Sequence, residues 1–98
     1  MQIQVITGEM ATGKTSKLRT IEAALLSEGR DASIIHAESY AASGLLRIME
    51  VRVHKGQRTL LVDDCTRQQI DAVLEWQSTV EEDTQYDDLI VHLVRKAS

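Results

Sequence analysis

The chain alternates short, β-branched apolar runs with longer stretches in which apolar residues recur every three to four positions. Gln2-Ile3-Gln4-Val5-Ile6 is partly alternating and predicts a strand. Lys14 to Glu28 predicts a helix: Leu18, Ile21, Ala24 and Leu25 share one face, and Gly29 stands where a left-handed C-terminal cap belongs. Ala32 to His36 predicts a short second strand. Ser39 to about His54 predicts a second helix, with Leu45, Leu46, Ile48, Met49 and Val53 as its apolar set and Gly56 after its end. Thr59-Leu60-Leu61-Val62-Asp63 is almost wholly apolar, as a strand buried on both faces should be. Thr66 and Gln69 have capping-box spacing and open a third helix, with Ile70, Val73, Leu74 and Val80 on its inner stripe. Leu89 to Val94 predicts a fourth strand.

Strand–helix alternation throughout predicts an α/β fold: a three-layer α/β/α domain with a four-stranded parallel sheet, spanning residues 1–98 as one unit. Right-handed crossovers bring the C-terminal ends of parallel strands to one rim, and ligands of such sheets bind outside it. The residues with chemical potential fall at those ends. Gly8 to Thr15 follows the first strand, His36 and Glu38 the second, Asp63 and Asp64 end the third, and His92 lies near the end of the fourth.

Gly8-Glu9-Met10-Ala11-Thr12-Gly13-Lys14-Thr15 matches G-x-x-x-x-G-K-[ST] in full, between a predicted strand and a predicted helix. The two glycines let the backbone close around a phosphate so that successive N–H groups point inward. The helix that follows adds its positive end to the same anion. Lys14 can reach the β- and γ-phosphates as a point charge, and the Thr15 hydroxyl can bind the Mg²⁺ that accompanies the nucleotide.

These eight residues, with the apolar run Leu60-Leu61-Val62 ending in Asp63 and Asp64, resemble the Walker A and Walker B segments of the P-loop NTPase superfamily. The resemblance covers nearly the whole chain in element order and is specific over its two motifs. It implies that Asp63 holds Mg²⁺ and that Asp64 activates a water molecule; for Asp64, capping the loop into the third helix is the alternative. The adjacency of the two acids, the absence of the Asn-Lys-x-Asp base-reading motif and the segment Leu89 to Lys96 resemble the RecA-like branch. In that branch a strand separates the Walker A and Walker B strands, so the implied order is 2-3-4-1. His92 would there sense the γ-phosphate; a partly buried, satisfied histidine is the other reading. GEMATGKT and LLVDD also look like the corresponding segments of thymidine kinase, but the cysteines of its zinc-bearing lasso have no counterpart here. The implied function is Mg²⁺-dependent binding of ATP, with GTP as the alternative, coupled to hydrolysis or to a nucleotide-gated switch. A small-molecule phosphotransferase and a domain that binds nucleotide without chemistry are the other two readings.

Composition narrows the setting. No apolar run approaches the ~20 residues of a membrane span, and no basic segment leads into an apolar one at the N-terminus. The single cysteine, Cys65, excludes an intramolecular disulfide and fits a cytoplasmic protein; it is expected to be a small buried apolar residue, and Trp76 to be partial core. The chain is expected to be a complete small protein. A net charge of −4 argues against indiscriminate nucleic-acid binding. Arg47, Arg52, Lys55 and Arg58 concentrate positive charge before an acidic stretch over residues 63–88, which reads as solvated faces or as a docking surface. So short a domain leaves the outer face of a nucleotide open, and a second copy or a protein partner is expected to complete catalysis.

Overall fold

The computed structural model describes residues 1–7 and 14–96, the side chains of residues 14–16 excepted. Strand β1 (Gln2–Ile6) is followed by α1 (Lys14–Ser27), β2 (Ile35–His36), α2 (Ala42–His54), β3 (Thr59–Cys65), α3 (Arg67–Thr79) and β4 (Ile90–Arg95). Single 3-10 turns occur at Ala37–Ser39 and Thr84–Tyr86. All strand pairs are parallel, and the order across the sheet is β2-β3-β4-β1. β4 therefore lies between β1 and β3, as expected.

Local chemistry accounts for the helix ends. Gly29 and Gly56 have φ of 78° and 100°. Each donates to the helix carbonyl three residues back, while the next residue, Arg30 or Gln57, donates to the carbonyl five back, at Leu25 or Arg52. Those are Schellman caps, which need a left-handed residue. At the start of α3, the Thr66 Oγ1 accepts from the Gln69 N–H (3.1 Å) and the Gln69 side chain accepts from the Thr66 N–H (2.9 Å).

The sheet sorts its side chains by alternation. Leu60, Val62, Val91 and Leu93 join Leu45, Met49, Val53, Ile70, Val73 and Trp76 in one core, beneath α2 and α3. Leu61 and Val94 face the other way and pack with Leu18 of α1. Trp76 meets Tyr86 edge-on at 5.4 Å within the larger core.

Three expectations are corrected. β2 is confined to Ile35–His36, not Ala32–His36, because side chains take the backbone groups before it. The Ile34 N–H donates to Glu22 Oε2 (3.1 Å), and the Ser33 carbonyl accepts from Arg52. β3 runs past Asp63 to Cys65, for a reason given below. Leu74 is exposed (41%), because α3 turns Gln69 inward. At 100° per residue, a stripe through Gln69, Val73 and Trp76 leaves Leu74 on the flank.

Candidate functional site at the C-terminal rim of the sheet

β3 does not run straight to the rim. Val62 pairs with Leu93, but the next pairing is Cys65 with Arg95, so three steps on β3 oppose two on β4. The extra residue makes a bulge, and Asp64 adopts φ 55°, the left-handed conformation that aspartate tolerates better than most residues. In a regular strand Val62 and Cys65 would face opposite sides. Both in fact join the α2/α3 core, so the bulge absorbs a reversal of face between them. Asp63, alternating with Leu61, belongs to the α1 face. The Cys65 carbonyl accepts from the Lys96 N–H (2.7 Å), which closes the ladder again beyond the bulge.

Asp63 is buried, and its Oδ1 accepts the Asp64 N–H at 2.9 Å. Asp64 is half-buried, and its carboxyl is held above the usual aspartate range. Burial is the main cause, followed by the negative charges of Asp63 and Glu38; Lys96 and His36 oppose the shift. These five side chains therefore form one electrostatic group at the rim. His36 is in register with Asp63, and Glu38 follows in the 3-10 turn. Burial and the two aspartates push the Cys65 thiol up to about 12, which keeps it protonated and unreactive, in its expected role as a small core residue.

Gln69 holds this rim together. It is buried, and its Nε2 donates to the carbonyls of Ala37 and Tyr40, both at 2.8 Å. One side chain thus caps α3, just after the acidic pair, and fastens the turn that carries Glu38. Capping-box spacing revealed the first role; the second needs residues about thirty positions away. Lys96 was assigned no part by sequence reasoning, and a cation just beyond a predicted strand end was the only available signal.

Gly8 to Gly13 lies outside the described residues, as do the side chains of Lys14 and Thr15. The backbone of Lys14 and Thr15 opens α1. Leu18 packs beside Val94 near the end of β4, whereas Leu25 lies beside Gln57 and Thr59 at the start of β3. α1 therefore runs antiparallel to the strands, with its N-terminus at the rim that carries Asp63 and Asp64.

His92 is not at that rim. It is in register with Gln4 and Leu61, three residues or roughly 10 Å before the end of β4. Its Nδ1 is buried and has no partner among the described residues. Burial, and secondarily the Lys17 cation, holds its pKa below the usual histidine value. A cavity of about 250 Å³ opens at the opposite end of the sheet, between the two Schellman caps, and touches neither Asp63 nor Asp64.

Among the described residues, no three His, Cys, Asp or Glu side chains cluster as a metal cage. Mg²⁺ does not require one, since it is commonly held by one or two carboxylates, water and substrate phosphate. A buried carboxylate beside a second one at a sheet rim suits that mode of binding. No helix among the described residues is long and apolar enough to cross a membrane. The chain matches no protein-family model, and no curated protein matches it at a significant level.

Proposed function

We propose that this chain binds a Mg²⁺–nucleoside triphosphate, ATP in preference to GTP, at the C-terminal rim and acts as an ATPase or nucleotide-gated switch of the P-loop kind. The observation that carries the reading is the end of β3, where alternation with Leu61 puts Asp63 on the α1 face and the bulge keeps Asp64 off the main core, at the rim where α1 begins. The sequence Gly8 to Thr15, leading from β1 into α1, supplies the matching phosphate cradle. The position of β4 between β1 and β3 supports the RecA-like branch over the kinase-like one.

In this reading the backbone of Gly8 to Gly13 and the Lys14 ammonium bind the phosphates, while Thr15 and Asp63 hold Mg²⁺. The metal, when bound, would neutralise charge on the phosphate oxygens. Asp64 takes the proton of an attacking water, and its raised carboxyl makes it a stronger base than an ordinary aspartate. His92, below the rim, is given no phosphate contact.

Calorimetric titration with Mg²⁺–ATP tests the cradle. Lys14→Ala is expected to weaken binding at least about tenfold. Equal affinity of variant and wild type rejects the reading. Asp63→Asn is expected to remove the Mg²⁺ dependence of binding, and Asp64→Asn to spare binding while slowing phosphate release.

A further inference from the structure

The two outer edges of the sheet are treated differently. β2 is only two residues long, and Glu22 and Arg52 occupy backbone groups of the segment before it. β1 has no strand beyond it among the described residues. Its five residues, QIQVI, include no charge, proline or bulge, the devices that normally protect an edge.

The direction of its free backbone groups follows from one hydrogen bond. The Gln2 N–H donates inward to the Leu89 carbonyl at 2.8 Å. Alternation along the strand then turns the N–H and C=O groups of Gln4 and Ile6 toward β4, and those of Ile3 and Val5 outward. We propose that β1 pairs antiparallel with β1 of a second copy about a two-fold axis at Gln4, joining two sheets into one.

This register alone pairs every residue of β1. It sets Ile3 opposite Val5 of the second copy, so the outward N–H and C=O groups meet as hydrogen-bonded pairs. A slip by one residue would oppose outward groups to inward ones and lose these hydrogen-bonded pairs. Ile3 packs against the margin of the α2/α3 core, and Val5, on the same face, is 39% exposed. Pairing covers both with each other. Each copy carries a net charge of −4, and a neutral strand is a contact that brings no like charges together. The two-fold axis points the C-terminal rims in opposite directions, so neither site borrows a residue from the other copy. The inference therefore stands apart from nucleotide binding.

Sedimentation equilibrium over a concentration series, together with cysteine crosslinking, decides it. Wild type is expected to form a reversible dimer. Val5→Pro removes an outward N–H without touching the β4 ladder and should weaken the dimer about tenfold or more. Gln4→Cys should oxidise to a covalent dimer, because Gln4 faces its own copy at about 4.5 Å between Cα atoms. Gln2→Cys should not, because its two copies stand roughly 14 Å apart. Cys65 is buried and does not compete. A monomer at all concentrations, a dimer indifferent to Val5→Pro, or equal crosslinking through Gln2 and Gln4 would each overturn the pairing.

Discussion

The two faces of the sheet hold their helices by different means. Under α2 and α3, fifteen of the described residues form one buried core, and polar ties reinforce it: Arg58 donates to the carbonyls of Val53 and Gln85 and pairs with Asp88 at 3.4 Å. On the α1 face the described buried cluster is Leu18, Leu61 and Val94, with Ile6, Ile21 and Ile34 partly covered. Buried apolar area is the main stabilising term, so among the described residues the first face contributes the larger share. Asp63 and the N-terminal end of α1 are on the other face. The basic and acidic segments, read from sequence as opposed patches, also meet inside one chain through Arg58 and Asp88, and Arg52 is spent on Ser33.

The largest expected effect separates the two faces. Leu60→Ala empties a fully buried site in the main core and should cost about 2–5 kcal/mol, a large share of the roughly 5–15 kcal/mol of a small domain. Leu18→Ala removes the same atoms from the α1 face. It should raise amide exchange in α1 while α2 and α3 stay protected. Hydrogen exchange followed by mass spectrometry reads both variants, and uniform loss of protection in Leu18→Ala would mean that the faces unfold as one unit.

Next comes the tie between loops. Gln69→Leu leaves the Tyr40 carbonyl without its Gln69 donor and the Ala37 carbonyl with the Tyr40 N–H alone, and it breaks the capping box, at an expected cost of about 2–4 kcal/mol. Thr66→Ala loses the cap alone, at about 1 kcal/mol. Equal denaturation midpoints for the two would show that fastening the Ala37–Ser39 turn contributes nothing.

The smallest effects are titrations. The Asp64 pKa is raised in the folded state, so its stabilising contribution is complete below the unfolded value of 3.8 and is lost as pH rises through the folded pKa. Asp64→Asn should therefore be more stable than wild type at pH 7, with the gap narrowing toward pH 4. His92 has the opposite sign. Its folded pKa lies below 6.5, so wild type should lose stability as pH falls below that value, and His92→Gln should flatten the slope. Urea midpoints from pH 4 to 8 check both; a wild-type curve unchanged by either substitution contradicts the burial of these groups.

Much of this molecule is legible in its sequence. The spacing of Leu45, Met49 and Val53 marked α2, the two glycines marked helix ends, and Thr66 with Gln69 marked the start of α3. Each signal operates within a few residues, where backbone propensity, capping hydrogen bonds and side-chain period are decided. The apolar run Leu60 to Val62 foretold a strand covered on both faces, and strand–helix alternation foretold an all-parallel sheet.

Other features needed the partners that folding supplies. Asp64 turns left-handed because β3 must return Cys65 to the core after Val62, a demand made by α2 and α3 rather than by its neighbours in sequence. Gln69 faces inward because the carbonyls of Ala37 and Tyr40 await it there, which rotates Leu74 into solvent. His92 reads as the tip of a strand, yet its depth depends on register with Gln4 and Leu61. The sequence by itself determined the elements and their order along the chain, because those follow from interactions a helical turn or a strand step apart. Register and the bulge were decided only in the tertiary structure, where groups distant along the chain compete for the same hydrogen bonds and the same core.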